Sequence, residues 1–313
     1  MRLVALPRYF PAMVSCGCLH LASLRTFTLA LLVALVGSAA TAHAERLTLD
    51  DRRTAFQRLT VIEDTVKRER YLYSDDMRYM QGMHALDRPD SLGPDYLRSA
   101  LLGLAFATSE PVSMLFVGLG AGSMPRYLAS RYPHARLDAV EIDPEVPPIA
   151  RRYFALPVAP NLKVIIAEGR EFIRSKPRQY NFVLIDAYFG EEIPPHLATV
   201  EFMAELRGVV RRGGVVVANL PAPELAANFW AVLATYRASF PHVRVFATGS
   251  PVNFILLASN TKIALDAPSL RQRVQQLKWR HRIDVDLEAL AALVPHWEGS
   301  AITAAELHDA NTH

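Results

Sequence analysis

Hydrophobic and polar residues follow two different rhythms along the chain. In the first part, the stretch FQRLTVIED (56–64) alternates between apolar and polar residues, which is typical of a half-buried strand. The stretch RERYLYSDDMRYMQ (68–81) predicts a hairpin with its turn at 74–76. Leucine and alanine side chains then recur at helical spacing and predict a helix over 93–108. We therefore expect a small N-terminal β-hairpin subdomain followed by a helix.

The second rhythm consists of short apolar runs that alternate with amphipathic helical segments. A strand and a glycine-rich loop are predicted at 113–123, and further strands are predicted at 136–143, 161–169, 180–187 and 213–220. Strands separated by helices imply βαβ units and a mainly parallel sheet. The last two strands, at 242–248 and 252–259, have a short link and should pair antiparallel. The tail from Pro268 is predicted to be helical.

The first 44 residues have the pattern of a targeting segment. Arg25 precedes an apolar run at 27–37, and Ala42 and Ala44 form the A-x-A pattern that signal peptidase reads. The run is short for a membrane span, so we expect cleavage after Ala44 and an exported, periplasmic protein. Two alternatives stay open. One is an uncleaved membrane anchor, and the other is a cytoplasmic protein, if the start codon is misassigned. Met13 is an alternative start, because the stretch before the apolar run is unusually long for a leader.

These patterns divide the chain of 313 residues into four parts. They are a signal peptide (1–44), an N-terminal β-hairpin subdomain with its helix (45–110), a Rossmann-like domain (111–265) and a helical tail (266–313). The sequence is 51% hydrophobic, which is enough apolar material for one large domain or two smaller ones.

The formal net charge of +3 comes entirely from the predicted leader. Arg2, Arg8 and Arg25 are its charged residues, and the rest of the chain has as many basic as acidic residues. No basic stripe with interleaved aromatic residues is present, so nucleic acid is not an expected partner. Both cysteines, Cys16 and Cys18, also belong to the leader, and the scattered histidines lack metal spacing. We therefore expect no disulfide and no metal in the mature chain.

Three glycines, Gly118, Gly120 and Gly122, follow a predicted strand and open a predicted helix. Glycine at such positions lets the backbone approach a ligand closely and leaves N–H groups pointing outward. The next strand carries Glu141 near its end, where a carboxylate can accept both hydroxyls of a ribose. This arrangement favours an adenosyl ligand of the S-adenosylmethionine class over a dinucleotide. The alternative is a tight turn followed by a solvated acid.

The third and fourth parallel strands also end in acidic residues. Glu168 and Gly169 close the third strand, at a position that faces an adenine edge in such a fold. Asp186 closes the fourth, beside the place where a sulfonium would lie. Ligands bind at the carboxyl ends of the strands in open α/β sheets, so these side chains should share one crevice. For Glu168, a surface position before a turn is the alternative.

The residues at these strand ends resemble the motifs of the spermidine synthase (polyamine aminopropyltransferase) family. The similarity is carried by Phe56–Gln57, Gln81, Tyr96, the VEID stretch (140–143), the EGREF stretch (168–172) and Asp186. It implies an α/β fold with a Rossmann-like, S-adenosylmethionine-methyltransferase-type doubly wound sheet after the β-hairpin subdomain. It also implies transfer of an aminopropyl group to an amine acceptor, as in polyamine biosynthesis.

The resemblance also implies roles for residues of this chain. Asp186 would be the catalytic base, and Tyr96 would contact the acceptor. The co-substrate would be decarboxylated S-adenosylmethionine or S-adenosylmethionine, and no metal would be needed. The expected partner is a small-molecule amine or polyamine. A homodimer is possible, and the sequence leaves the oligomeric state open. The residues expected to bind the adenosyl group are Gln57, Gln81, Gly118, Gly120, Gly122, Glu141, Ile142, Asp143, Glu168 and Gly169.

Several acidic residues that the family usually carries are absent. The glycine loop GLGAGS (118–123) has no aspartate, and the helix continues after Tyr96 with Leu97 and Arg98. Phe189–Gly190 occupies the place of the second aspartate after strand four. Free alkyl ammonium groups titrate near ~10.4, so a diamine arrives as a dication that needs several carboxylates.

The loop after Asp186 offers substitutes for the missing acid. We interpret Glu191 and Glu192 as replacement partners for an ammonium group, and Tyr188 as a cover for a bound ligand. The alternatives are a solvated loop and a tyrosine that only packs a lid. His196, after two prolines near the expected site, is predicted to be structural or exposed rather than catalytic.

Three functions are consistent with these residues. The first is an aminopropyltransferase-type enzyme whose acceptor is an amine, not necessarily putrescine. The second is a methyltransferase that uses S-adenosylmethionine itself, because the missing loop aspartate weakens selectivity for the decarboxylated form. The third is a non-catalytic exported protein that keeps the fold, which the predicted leader favours because adenosyl cofactors are made in the cytosol.

Overall fold

The computed structural model describes residues 46–107, 111–175, 179–188, 190, 192–250, 252–262, 267–283, 286–292 and 304–311. The predicted leader, Phe189 and Glu191 lie outside the described residues. The strands of the described part form two sheets, one of four strands and one of seven.

The four-stranded sheet is antiparallel and lies at the start of the described chain. Its strands are β1 (Arg46–Arg53), β2 (Arg58–Asp64), β3 (Glu69–Ser74) and β4 (Tyr79–Ala85), in the spatial order β1-β2-β3-β4. The predicted hairpin is confirmed, because β3 and β4 pair antiparallel around the turn after Ser74. Strand β1 was not predicted from the sequence. Its RLTLDDRR stretch is rich in charged residues and pairs along β2 with most side chains exposed or half-buried.

The helix predicted over 93–108 forms as two short helices. They are α1 (Asp95–Ala100) and α2 (Leu102–Phe106). Around Leu101 the backbone tightens, since its N–H lies 3.3 Å from the Arg98 carbonyl and its carbonyl accepts from the N–H of Leu104 at 3.0 Å. Such three-residue spacing is the 3₁₀ pattern. The break leaves both helices packed with leucine side chains against the core.

The larger sheet follows as a series of strands and helices. Its elements are β5 (Ser113–Val117), α3 (Ser123–Arg131), β6 (Arg136–Glu141), α4 (Val146–Tyr153), β7 (Leu162–Ile166), α5 (Gly169–Ser175), β8 (Tyr180–Ile185), α6 (Val200–Val209), β9 (Val210–Pro221), α7 (Phe229–Ser239), β10 (His242–Ala247) and β11 (Asn253–Ser259). Strand β7 is shorter than predicted because α5 begins at Gly169, and β9 is longer at both ends.

The strand order in this sheet is β10-β11-β9-β8-β5-β6-β7. Strands β5 to β9 pair parallel, and β10 pairs antiparallel with β11, as the sequence predicted. Strand β11 also pairs antiparallel with β9, which was not predicted. The chain runs from β5 outward to β7 and then returns to β8 on the other side of β5. This reversal creates a crevice at the carboxyl ends of β5 and β8, the position where open α/β sheets bind ligands. The predicted doubly wound, Rossmann-like fold is confirmed.

The central strands are buried on both faces. Along β5, Phe116 packs into the core on one side of the sheet, whereas Leu115 and Val117 pack into the core on the other. The same alternation continues along β8, where Phe182 and Val183 point to opposite cores. Continuous apolar runs of this kind are expected when helices cover both faces of a parallel sheet. The rigid centre of the sheet fixes where its carboxyl ends lie.

The described part of the tail contains helices, whereas residues 304–308 form neither helix nor strand. It contains α8 (Ala267–His281), α9 (Leu287–Ala292) and a 3₁₀ turn at Asp309–Asn311. Among the described residues, no helix combines the length and the apolar character that a membrane crossing requires.

Candidate active site at the carboxyl ends of the parallel strands

The turn after β5 fits only because glycines occupy it. Gly118 has a φ of +95° and Gly120 a φ of +51°, both in the region that side chains disfavour. A Cβ atom on Gly118 would overlap the carbonyl oxygen of Asp186, and one on Gly120 would lie 2.5 Å from the carbonyl oxygen of Gln81. The turn therefore lies against the end of β8 and against Gln81 within β4, so residues from the two sheets meet at one point.

Gly122 has a packing role in the structure. It precedes α3 with a φ of +72°, and a Cβ atom there would lie 2.8 Å from the Leu156 side chain. It lines neither of the two cavities described below. The structure thus places this predicted adenosyl-binding residue behind the site, where it lets the helix start close to Leu156.

The Glu141 carboxylate braces the glycine turn. It is 8% exposed, and it accepts hydrogen bonds from the backbone N–H groups of Leu119 at 3.0 Å and Asp143 at 2.9 Å. Burial raises the pKa of Glu141, although these two N–H groups favour the charged form. Each oxygen keeps a further lone pair, so the carboxylate can still accept hydroxyl groups from a ligand.

Asp143 ties the two sheets together from a buried position. One of its oxygens accepts from the Thr54 hydroxyl at 2.7 Å and faces the Gln57 amide nitrogen at 3.5 Å. Its other oxygen accepts from the N–H of Glu145 at 3.0 Å. Asp143 therefore holds Gln57 in place, whereas Gln57 and the exposed Ile142 themselves line the smaller cavity.

Glu168 lies between β7 and α5 and forms a pair with His196. Its carboxylate accepts from the N–H of Glu171 at 2.8 Å, and its other oxygen lies 3.0 Å from Nε2 of His196. Burial alone would raise the pKa of Glu168, but hydrogen bonds from the N–H groups of Arg170 and Glu171 and from His196 outweigh it and lower the pKa. His196, predicted to be structural or exposed, lines the smaller cavity. Gly169 follows Glu168 there and leaves no room for a side chain against the sheet.

The smaller cavity has a volume of about 320 Å³. It lies over the carboxyl ends of β5, β6 and β7. Most of the predicted adenosyl-binding residues line it together: Gln57, Gln81, Gly118, Gly120, Glu141, Ile142, Glu168 and Gly169. The structure therefore brings these residues to one place, where Glu141 and Glu168 share the wall with the carboxylates of Asp75 and Asp186.

Asp186 stands at the end of β8, where its N–H donates to the carbonyl of Val117 at 2.9 Å. One carboxylate oxygen accepts from the Tyr96 hydroxyl at 3.0 Å, and the other accepts from the Asn219 side-chain amide at 2.9 Å. Burial raises the pKa of the Asp186 carboxyl, and the two hydrogen bonds oppose this only in part. Burial, with the nearby Asp186 charge, also keeps the pKa of Tyr96 well above its usual value, so the phenol is a proton donor to Asp186.

Two asparagines that the sequence analysis missed extend this network. Asn219 lies near the end of β9, and its side-chain oxygen accepts from the Asn253 amide at 3.0 Å. Its backbone carbonyl accepts from the Tyr188 hydroxyl at 2.7 Å. Asn219 is a polar residue at the carboxyl end of the fifth parallel strand, so the rule that identified Asp186 could also have found it.

A larger cavity, of about 700 Å³, adjoins the smaller one. Both are lined by Gln81, Gly118, Leu119, Gly120, Asp186, Tyr188 and Gly190. The larger one is lined in addition by Tyr96, Asn219 and Asn253. Its charged lining residues are Glu69, Asp95 and Asp186 with Arg78, Arg88 and Arg98. The Asp186 carboxylate thus lies where the two cavities meet.

Of the two predicted replacement acids, Glu191 and Glu192, the structure describes only Glu192. Glu192 is exposed and lines neither cavity, while the neighbouring Ile193 is buried. Glu191 lies outside the described residues. Tyr188 does lie at the junction of the cavities, with a buried hydroxyl whose pKa is raised well above its usual value by burial. Among the described residues, no cluster of three histidine, cysteine or acidic side chains could hold a metal ion.

The similarity to known proteins agrees with this geometry. No family model matches the chain. A polyamine aminopropyltransferase of Vibrio vulnificus (strain CMCP6) is 43% identical over 127 residues, which are 40% of this chain and 42% of that protein. The resemblance to the spermidine synthase family that the motifs predicted is confirmed by this similarity. The aligned part spans less than half the length of that relative.

Two solved structures share the fold of this chain. A probable spermidine synthase from Corynebacterium glutamicum ATCC 13032 superposes with a TM-score of 0.62 at 24% identity, over 72% of this chain and 86% of that one. Human methyltransferase-like protein 13 in complex with SAH superposes with a TM-score of 0.55 at 28% identity, over 60% of this chain and 93% of that one. The fold of this chain thus resembles both a spermidine synthase and a methyltransferase.

Proposed function

We propose that this protein is a transferase that moves an aminopropyl group from decarboxylated S-adenosylmethionine to an amine acceptor. The observation that carries the proposal is the meeting of two cavities at the Asp186 carboxylate. One cavity has the lining expected for an adenosyl group, and the other is large enough for an acceptor. The similarity to a polyamine aminopropyltransferase supports aminopropyl transfer as the reaction.

The smaller cavity would hold the adenosyl part of the co-substrate. Glu141 would accept ribose hydroxyls, because its carboxylate faces the cavity and keeps free lone pairs. Glu168 would accept from the adenine amino group, and the backbone of Gly118 and Gly120 would allow close approach. The human methyltransferase-like protein, solved with SAH, supports an adenosyl ligand in a fold of this kind.

The reaction would be a displacement at the carbon next to the sulfonium. The acceptor nitrogen forms a bond to that carbon, the carbon–sulfur bond breaks, and its electron pair goes to sulfur, so that methylthioadenosine leaves. The extra proton on the acceptor nitrogen passes to the Asp186 carboxylate. The protein supplies orientation and a base, which are the two contributions such a reaction needs. The raised pKa of Asp186 makes it a stronger base than an exposed aspartate.

An S-adenosylmethionine-dependent methyltransferase is the second candidate. The residues at 118–123 contain no acid that would select the decarboxylated side chain, and the human methyltransferase-like structure shares the fold. The third candidate is a non-catalytic exported protein that keeps the fold. The methyltransferase and the non-catalytic protein both remain alternatives. Among the described residues that line the larger cavity, no second carboxylate contacts Asp186.

A product screen separates these candidates. The protein is incubated with decarboxylated S-adenosylmethionine or with S-adenosylmethionine, in the presence of a set of small amines and polyamines. We expect methylthioadenosine to form only with the decarboxylated co-substrate and an amine. S-adenosylhomocysteine formed from S-adenosylmethionine would instead support the methyltransferase. Neither product, together with no binding of methylthioadenosine, would leave the non-catalytic candidate.

Replacement of Glu141 tests the adenosyl cavity. We expect Glu141→Ala to weaken methylthioadenosine binding by roughly 1–3 kcal/mol, the range for losing hydrogen bonds to a charged group. Titration calorimetry measures this, and thermal unfolding checks that the fold is kept. Glu145→Ala is a matched control, because Glu145 follows on the same loop but pairs with Arg52 outside the cavities. Equal binding by both variants would remove Glu141 from the ligand site.

The cellular location is a separate proposal. We propose that the protein is exported and that its leader is cleaved after Ala44, on the strength of the A-x-A pattern. The mature chain would then contain no cysteine. Mass spectrometry of the protein from its native host should give a chain that begins at Glu45. A full-length product in the membrane fraction would support an uncleaved anchor. A full-length product in the cytoplasm would contradict both export with cleavage and a membrane anchor.

A further inference from the structure

The Asp186 carboxylate is held by a chain of two amides. Asn219 donates from its side-chain nitrogen to one oxygen of Asp186 at 2.9 Å. The other end of the same amide, its oxygen, accepts from the side-chain nitrogen of Asn253 at 3.0 Å. Each amide thus points its N–H donor towards Asp186. The hydrogen bonds run from Asn253 on β11, through Asn219 on β9, to Asp186 at the end of β8.

The sheet register makes this arrangement rigid. In the antiparallel pair of β9 and β11, Asn253 lies opposite Pro221 and Ile255 lies opposite Asn219. Asn219 and Pro221 share one face of β9, so Asn253 is the diagonal neighbour of Asn219 on that face, within reach of a short amide. Strand β11 is itself paired on both sides. Asn253 is therefore fixed by the sheet rather than by a loop.

An asparagine amide has nearly the same shape with its oxygen and nitrogen exchanged. If the Asn219 amide turned over, its oxygen would face the Asp186 carboxylate and its nitrogen would face the Asn253 nitrogen. Both contacts would then be repulsive, since a carboxylate only accepts and an amide nitrogen only donates. The donor of Asn253 therefore favours the same orientation of Asn219 that the Asp186 carboxylate favours, and the two contacts together fix the amide.

We propose that Asn253 is a positioning residue: it orients the Asn219 amide so that its N–H group holds the Asp186 carboxylate in one direction, with its remaining lone pairs free for the acceptor amine. The role of Asp186 as a base rests on the proposed function. The orientation of the amides does not, and it can be tested without any turnover.

Other titratable groups surround this network. Tyr96 from α1 donates to the second oxygen of Asp186, and Tyr188 follows Asp186 in the chain. The titratable residues that line the adjoining cavities are Asp75, Glu141, Glu168 and His196 on one side, and Glu69, Asp95, Arg78, Arg88 and Arg98 on the other. None of these is altered by a change at Asn253, so they form a constant background in the test.

The experiment is a carboxyl titration by NMR on protein labelled with ¹³C-aspartate, in which Asp186→Asn assigns the Asp186 signal. A hydrogen bond to the charged form lowers a pKa, so Asn219→Ala should move the Asp186 midpoint upward by about one pH unit. We expect Asn253→Ala to move it in the same direction. In the double variant Asn219→Ala/Asn253→Ala, we expect no further shift, because Asn253 acts only through Asn219.

Asn260→Ala is the matched control, because Asn260 follows β11 at its far end and pairs with Arg207 away from both cavities. Its midpoint should equal that of the wild type. An unshifted midpoint in Asn253→Ala would overturn the inference, and so would an equal shift in the Asn219→Ala background. If transfer activity is found, the acid limb of kcat should move with the midpoint. If no transfer is found, the proposed function fails while the titration still decides the role of Asn253.

Discussion

Asp186→Asn should reduce amine transfer by about 10²–10⁴-fold, the usual contribution of a positioned general base. The substitution keeps the size of the side chain and a hydrogen-bond acceptor for Tyr96. It removes the group that would take the acceptor proton. Binding of methylthioadenosine should be nearly unchanged, because Glu141, Glu168 and the glycine turn lie in the smaller cavity and do not depend on the charge of Asp186.

The wild-type pH profile gives a second readout for Asp186. A base works only when it is deprotonated, so kcat should fall as the pH drops through the pKa of Asp186. Burial raises that pKa, so the fall should begin at a higher pH than an exposed aspartate would give. This acid limb should vanish in any residual activity of Asp186→Asn. A variant that keeps full turnover would exclude Asp186 as the base.

Gly118→Ala should destabilise the folded protein by roughly 2–5 kcal/mol, from the strain of a positive φ together with the overlap of its Cβ with backbone. The overlapping atom is the carbonyl oxygen of Asp186, and neither backbone segment can move away without disturbing the sheet. Adenosyl binding should be lost in whatever protein remains folded. Urea unfolding measures the first effect and calorimetry the second.

Gly208→Ala is the control for this substitution. Gly208 lies in α6, and no atom stands within 4 Å of the position that its Cβ would take. Alanine there should raise the free energy of unfolding by about 0.5–1 kcal/mol, because glycine is the poorer helix former. If the two variants lost the same stability, the close approach of Gly118 to Asp186 would not be the cause.

The sequence predicted the larger sheet well because its strands are continuous apolar runs that end in polar residues. The ends of these runs identified Gly118, Glu141, Glu168 and Asp186, and the structure brings all four to one edge. Strand β1 was missed because its charged residues hide any alternation. Asn219 was missed because only acids and glycines were sought at the strand ends.

Other residues could not be placed from local pattern alone. Gly122 packs against Leu156, and Asp143 accepts from Thr54, which are contacts between distant parts of the chain. Both were predicted to bind the adenosyl group, and neither lines the smaller cavity in the structure. Glu192 shows that closeness in sequence is not closeness in space, because this acid lies six residues after Asp186 and is exposed in the fold.

His196 is exposed, in agreement with the sequence prediction, but its pairing with Glu168 could not be predicted from local sequence. Residues 168 and 196 belong to different βα units, and the turn at Pro195–Leu197 brings them together. Arg170 supports this turn by donating to the carbonyl of His196 at 3.1 Å, while it pairs with Glu205 and Asp309. No short stretch of sequence contains this set of contacts.

The most direct test of the account is a crystal structure of the protein with methylthioadenosine. We expect the ribose hydroxyls within hydrogen-bonding distance of the Glu141 carboxylate, the adenine amino group at Glu168, and the sulfur towards Asp186 at the junction with the larger cavity. A ligand bound elsewhere on the protein, or a smaller cavity that stays empty at saturating methylthioadenosine, would contradict the proposed adenosyl site and the transfer reaction built on it.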